Sequence, residues 1–338
     1  MRSKLEKLLS QEVLSQEEAY SLLCSVGSGE ANSAQMAAFM SVYRLREITL
    51  DELRGFRSAL LELALPGKIE AQNAIDLCGT GGDGRNSFNI STLSCFVVAA
   101  CGGRVIKHGN YGVSSVSGSS TVLEKLGYKF TNDSSELNRS LENSGVCFLH
   151  APLFHTALKH VAGTRKELGT RTFFNMLGPL VNPAQPSHRL TGVFSNELLR
   201  KYHYLLQETD EKYTLVHSDD GFDEISLTAP FRVVTNQFQK VYSATEIGLE
   251  RIAPEDLCGG NTADEAAEVF VSVLNGKGTS AQNSVVAANS GAALFTLGIV
   301  NSLTDGIALA LEGLISGKAK SRFKTFIESV RIKPLRET

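Results

Sequence analysis

The sequence has no basic excess. Its 33 lysines and arginines are outnumbered by 36 aspartates and glutamates, for a net charge of −3. A protein held to nucleic acid or to an anionic membrane by its overall charge is therefore not expected. The six cysteines (Cys24, Cys78, Cys95, Cys101, Cys147 and Cys258) form no C-x-x-C pair, and no histidine pair stands near them at zinc-finger spacing. This argues against the common structural zinc sites and for reduced, buried thiols, as in a cytoplasmic protein. No run of about 18 or more apolar residues occurs, so no membrane-spanning helix is expected. The charged opening MRSKLEKLLSQEVLSQEEAY does not read as a signal peptide. Internal repeats, low-complexity segments and the metalloprotease pattern H-E-x-x-H are also missing. What is present is 338 residues, 42% of them hydrophobic, enough for one large domain and a smaller one.

The first part of the chain reads as helices alone. Ser15 with Glu18, and Thr49 with Glu52, each match the S/T-x-x-E capping box ahead of apolar residues at helical spacing. Pro66-Gly67 stops the last of these helices. Residues 1–66 are thus expected to form a small helical domain. From Asn73 the pattern changes. AIDLC, RVIKHG, VCFLHAP, RLTGVF, YTLVHS and EISLTA read as strands. Between them STLSCFVVAACGG, SSTVLEKLG, SELNRSLENSG and SNELLRKYHYLLQ read as helices, and the chain from Asn261 to Arg331 is helical again. Alternating strands and helices predict an α/β domain over residues 70–338, with a central, mostly parallel sheet flanked by helices.

The chemistry sits between these elements. Asp76-Leu-Cys-Gly79-Thr80-Gly81-Gly82-Asp83-Gly84 follows the first strand, and its glycines allow an anion to approach backbone N–H groups. Gly79, Gly81 and Gly84 also fit G-x-G-x-x-G, but a dinucleotide site wants an acid on the next strand, where Lys107 and His108 stand instead. Asn86-Ser87-Phe-Asn89-Ile90-Ser91-Thr92 opens the next helix, whose free N–H groups and dipole suit phosphate; the plainer alternative is that Ser91 and Thr92 only cap it. The segment from Lys107 to Ser120 is rich in glycine and serine and again lies between a strand and a helix. Three such loops at successive strand ends point to a phosphate-rich ligand. Asp219-Asp220-Gly-Phe-Asp223-Glu224 follows the strand YTLVHS, and adjacent carboxylates there suit Mg²⁺ bound together with substrate phosphates. In His155–Pro183, Arg165, Lys166, Arg171 and the apolar FFNMLGP run read either as plain surface and core or as a place where an arginine forks onto a carboxylate.

The motifs D-x-x-GTGGDG-x-N-x-FNIST, KHGN-x-x-VSS-x-SGS, R-x-ELG-x-RT-x-FN-x-LGPL-x-NP and the late Asp223-Glu224 pair resemble those of the anthranilate phosphoribosyltransferase family of tryptophan biosynthesis, over nearly the whole chain. The resemblance implies transfer of the 5-phosphoribosyl group of 5-phosphoribosyl 1-diphosphate to the amine of anthranilate, with release of pyrophosphate. It implies a homodimer built through the helical domain, residues 163–183 packing back toward that domain, and Mg²⁺, two ions per subunit. Matched by motif, Gly79, Gly82, Asp83, Ser87, Asn89, Ile90, Ser91, Thr92, Lys107, His108, Gly109, Asn110, Tyr111, Gly112, Val113, Ser114, Ser115 and Ser119 would bind the phosphosugar. Gly79, Asn110 and Arg165 would meet anthranilate, with His108 and His155 contributing, and Ser91, Asp223 and Glu224 would serve the metals. No general base is implied. Similar proteins commonly carry proline where this chain has Thr156, and Pro-Val where it has Gly163-Thr164, beside the expected acceptor pocket. Pyrimidine nucleoside phosphorylases, the enzymatic rival, carry K-x-S-T-G-G-x-G-D in place of GTGGDG, and a nucleic-acid-binding relative would want a basic surface.

Overall fold

The computed structural model describes residues 1–112 and 117–330. Four helices come first: α1 (Arg2–Leu9), α2 (Gln16–Gly27), α3 (Ser33–Leu45) and α4 (Leu50–Leu63). Both expected capping boxes form, Ser15 with Glu18 and Thr49 with Glu52. Glu52 has a second role. Its buried carboxylate accepts from Leu14 N–H (3.1 Å), the Tyr43 hydroxyl (3.0 Å) and both Nη atoms of Arg46. One side chain thereby ties together the ends of three helices. Breaking a buried pair leaves its partners unsatisfied at a cost of roughly 3–5 kcal/mol. Glu52→Ala is accordingly expected to lower the denaturant midpoint strongly, while the exposed pair partner Glu6 should be nearly silent when replaced, a difference that equilibrium unfolding in urea would read.

The α/β part runs β1 (Ala74–Leu77), α5 (Ile90–Ala100), β2 (Arg104–Gly109), α6 (Ser119–Lys125), α7 (Ser134–Ser144), β3 (Val146–His150), α8 (Ala151–Phe154), α9 (Lys159–Leu168), α10 (Phe174–Leu177), β4 (His188–Gly192), α11 (Asn196–Leu206) and β5 (Lys212–Ser218). It continues with β6 (Phe231–Thr235), β7 (Gln239–Tyr242), α12 (Ala263–Leu274), α13 (Ser280–Thr296), α14 (Leu303–Ile315) and α15 (Lys318–Ser329). The sheet order is β3-β2-β1-β4-β5-β6-β7. The first five strands in this order pair in parallel, and β6 and β7 add an antiparallel edge. The connections run one way from β1 and the other way from β4, so the β1/β4 boundary is a topological switch point.

One expected strand does not form. EISLTA alternates apolar and polar residues, yet Ile225, Ser226 and Leu227 are all fully buried, and Leu227 has φ of 62°. The Asn289 side chain, reaching from α13, accepts from Ile225 N–H (3.1 Å) and donates to Ile225 C=O (3.0 Å). The backbone groups that a sheet ladder would use are already taken. The strands at this point of the chain are instead β6 and β7.

The main core lies where α5, α12, α13, α14 and α15 pack on one face of the sheet. A second core joins Leu22, Phe39 and Phe56 of the N-terminal helices to Val161, Phe173, Phe174, Leu177 and Leu180. Phe173 sits within 5.0 Å, centroid to centroid, of Phe39, Tyr43 and Phe56. This anchors the 173–180 segment on the helices while its other side faces the switch point.

Candidate active site

A cavity of about 270 Å³ opens at the C-terminal ends of the parallel strands. It is lined by the loops after β1, β2 and β5 and by the 155–181 segment.

The loop after β1 is held from two sides. Thr80 N–H donates to Gly192 C=O at 2.9 Å. Gly81 N–H donates to Asp223 Oδ2 at 2.6 Å. The acidic loop lies so close that a Cβ at Gly79 would strike the Asp223 carboxylate, and one at Gly192 would strike the Asp223 carbonyl. Glycine at these two positions is therefore a condition for bringing the acidic loop onto the phosphate loop. Further along, Asn89 Nδ2 donates to Ser117 C=O at 3.0 Å, which joins the loops after β1 and β2. Ser91 N–H, in the first turn of α5, donates to Glu224 Oε1 at 3.2 Å.

Three carboxylates meet here. Burial raises the pKa of Asp223 to about 7, and the nearby Asp83 adds to this. Burial, then Asp223 and Asp83, push Glu224 well above the usual carboxylate range. Burial also raises Asp83. Asp83 Oδ2 and Glu224 Oε2 are buried without a hydrogen-bond partner among the described residues. Among those residues no three His, Cys, Asp or Glu side chains form a metal cage by themselves. Mg²⁺ does not need one: it is bound through one or two carboxylates, with water and phosphate oxygens completing the shell. The orphaned oxygens of Asp83 and Glu224, on carboxylates that raise one another's pKa, fit such an ion.

Lys107 departs from a simple phosphate contact. It is 3% exposed, and its Nζ donates to Leu77 C=O and lies 3.3 Å from Ser91 Oγ. It braces the floor of the site while bringing positive charge beneath it. The buried Asp76 carboxylate, raised above its usual pKa by burial, accepts from His108 N–H (3.2 Å) and Asn182 Nδ2 (2.9 Å).

The other end of the cavity has a different character. His108 Nδ1 is 3.2 Å from Gly178 C=O, and His155 Nε2 is 2.9 Å from Val181 C=O. The rings are 5.1 Å apart. Burial holds His108 at a pKa of about 3, with His155 lowering it further, and burial lowers His155 too. Both are neutral, and each spends its one N–H on a carbonyl. His108 Nε2 and His155 Nδ1 are left as buried acceptors without partners among the described residues. Opposite, Arg165 lies 5.5 Å over the Phe174 ring, and its Nη2 donates to Asn175 Oδ1 at 3.3 Å. Burial lowers its pKa, and it has no carboxylate partner among the described residues. A desolvated guanidinium with no anion is a site for one.

The structure brings Gly79, Gly82, Asp83, Ser87, Asn89, Ser91, Thr92, Lys107, His108, Gly109, Asn110, Tyr111, Gly112, Ser119, His155, Arg165, Asp223 and Glu224 to this one cavity. Ile90 is fully buried and does not line it. Val113, Ser114 and Ser115 lie outside the described residues. Thr156, Gly163 and Thr164 do not line the cavity; Thr164 is buried, and Thr156 and Gly163 are exposed. Sequence reasoning passed over Arg85, Phe174 and Asn175, which do line it. The latter two stand inside the quoted FN-x-LGP motif, whereas Arg85 occupies an unconstrained position and carries no local signal.

Residues 71–320 match the glycosyl transferase family, a/b domain, and residues 2–64 match its helical bundle domain. The chain is 51% identical over 324 residues to the anthranilate phosphoribosyltransferase of Flavobacterium psychrophilum, covering 96% of this chain and 98% of that protein. It is 47% identical over 328 residues to that of Bacteroides fragilis, covering 97% and 99%. Among solved structures, the anthranilate phosphoribosyltransferase of Thermus thermophilus superposes with a TM-score of 0.90 at 35% identity, over 97% of this chain and 99% of that one. The Saccharomyces cerevisiae enzyme in complex with PRPP and Mg gives 0.87 at 25% identity, over 97% and 96%. The chain belongs to the anthranilate phosphoribosyltransferase family.

Proposed function

We infer that the protein transfers the 5-phosphoribosyl group from 5-phosphoribosyl 1-diphosphate to the amine of anthranilate, giving N-(5-phosphoribosyl)anthranilate and pyrophosphate. The observation that carries this is a single cavity with two unlike ends. One end combines glycine-rich N–H loops with orphaned carboxylates. The other holds a guanidinium with no carboxylate partner among the described residues and two neutral imidazole acceptors. A phosphosugar suits the first and an aromatic amino acid carboxylate the second.

In this reading Gly79, Gly82, Asp83, Ser87, Asn89, Ser91, Thr92, the Lys107–Ser115 stretch and Ser119 hold the phosphosugar. Ser91, Asp223 and Glu224 hold magnesium, at two ions per subunit. Bound there, magnesium supplies charge neutralisation to the departing diphosphate. Arg165 and Asn110 orient anthranilate, with Arg165 forking onto its carboxylate, and Gly79 borders the bound amine. His108 and His155, both uncharged, offer lone pairs toward that amine. An aromatic amine is neutral near pH 7 and attacks without prior deprotonation, so the residues act by positioning and electrostatic stabilisation. Complementation of a tryptophan auxotroph that lacks this step is the direct test. Growth supports the reading, and failure by a well-expressed chain refutes it.

The reading includes a cytoplasmic location, and among the described residues no helix is long and apolar enough to cross a membrane. It also includes a homodimer through residues 1–66. Leu9, Val13 and Leu45, exposed by 59%, 52% and 89%, leave apolar surface on the helical part. Light scattering at micromolar concentration should return twice the monomer mass, and Leu45→Asp should shift it toward the monomer. A wild-type monomer under those conditions would contradict this assembly.

A further inference from the structure

The phosphate loop follows β1 and the acidic loop follows β5, and in the sheet these strands are separated by β4. Side-chain contacts must therefore span a strand's width to hold the two loops together. Two of them are made by the acids themselves: Asp223 Oδ2 accepts from Gly81 N–H, and Glu224 Oε1 accepts from Ser91 N–H. In the proposed function these same carboxylates take magnesium. A carboxylate that also binds a dication holds an amide less firmly, so both contacts weaken in the state in which the loop has to be most accurately placed.

A third contact does not compete with the metal. Arg85 Nη2 donates to Asp220 C=O at 2.8 Å, and the Arg85 guanidinium carbon lies 5.0 Å over the centroid of the Phe222 ring. Phe222 is 3% exposed and belongs to the main core, so the ring is a fixed platform. At the other end, Arg85 N–H donates to Asp83 Oδ1 at 2.9 Å, which fixes the turn from which the side chain starts. Arg85 thus grips the acidic loop by its backbone and by an aromatic face, and neither group is a proposed metal ligand. A planar cation can do both at once.

We propose that Arg85 is a positioning residue, a clip that keeps the acidic loop seated on the phosphate loop when Asp223 and Glu224 engage magnesium. The inference rests on the metal assignment made above. It also predicts the opposite sign to simple electrostatics. A guanidinium beside a dication site repels the ion, so if charge alone mattered, removing Arg85 would tighten metal binding. Loss of the clip loosens it.

The test is Mn²⁺ binding to the full-length protein in the presence of 5-phosphoribosyl 1-diphosphate, followed by the electron paramagnetic resonance of free Mn²⁺. In Arg85→Ala the Kd for Mn²⁺ should rise about five- to tenfold, the loss of one hydrogen bond and one exposed cation–π contact. Saturating Mg²⁺ should restore kcat, and the KM for anthranilate should stay within about twofold. Amide exchange at Gly221 and Phe222 should quicken in the metal-loaded variant. Phe222→Leu, which keeps the charge and removes the ring, should weaken Mn²⁺ in the same direction. Unchanged or tighter Mn²⁺ binding in Arg85→Ala would overturn the proposal. Wild-type protein that takes up no Mn²⁺ with the phosphosugar present would overturn the metal assignment itself, and this inference with it.

Discussion

Replacing Asp223 by Asn and Glu224 by Gln together should lower turnover by about 100- to 1,000-fold at millimolar Mg²⁺, since a metal clamp on a transferring group contributes several kcal/mol. The fold should survive. Both amides are near-isosteric, and an amide oxygen can still accept from Gly81 N–H and Ser91 N–H, where the native contacts are 2.6 and 3.2 Å. The native pair is a costly arrangement: buried carboxylates beside Asp83, each made harder to ionise by burial and by its neighbours. Removing the ionisable groups relieves that cost, so the thermal midpoint of the variant should equal or exceed that of the wild type. Lost activity with preserved or raised stability separates a metal role from a structural one. Activity unchanged across a Mg²⁺ titration would remove both residues from the metal site.

Arg165→Ala should reduce kcat/KM for anthranilate by about 10- to 150-fold, the loss of one charge-assisted contact of roughly 1.5–3 kcal/mol. Calorimetric binding of the phosphosugar should stay nearly intact, because the contacts proposed for it are at the other end of the cavity. The structure sharpens the expectation. Arg165 is held by Phe174 and Asn175 and answers no carboxylate among the described residues, so truncation breaks no ion pair there. Lysine should rescue only in part, since it offers charge without the planar fork. A change below about twofold, or ~0.5 kcal/mol, would refute the acceptor assignment. Attention would then move to the neighbourhood of Thr156, Gly163 and Thr164.

Much of the architecture was legible because local rules and tertiary demands agree. The capping boxes at Ser15 and Thr49 form as written. The strands at Ala74, Arg104 and Val146 fall within the segments read as strands, and those at His188 and Lys212 begin one residue ahead of theirs. The failures have long-range causes. The segment after Glu224 looked like a strand, but Asn289, 64 residues further on, occupies its backbone. Strands β6 and β7 were both missed; in β7, Gln239, Lys240 and Val241 are all exposed, leaving no alternation to read. In the site, motif matching named loops that the fold brings to one cavity, without revealing how they are held. Lys107, assigned to the phosphosugar by motif, is also buried against Leu77 C=O and Ser91, a bracing contact that no motif shows. Arg85 carried no signal at all, because its significance depends on Phe222, which only the fold places beneath it.

The central claim is the reaction, and anthranilate fluorescence tests it most directly. Purified protein, anthranilate, 5-phosphoribosyl 1-diphosphate and Mg²⁺ should give a progressive loss of the anthranilate signal, with one pyrophosphate released per anthranilate consumed and no loss when the phosphosugar or the metal is withheld. A fluorescence signal that stays constant with folded, metal-supplied enzyme, or that falls without release of pyrophosphate, would contradict the account.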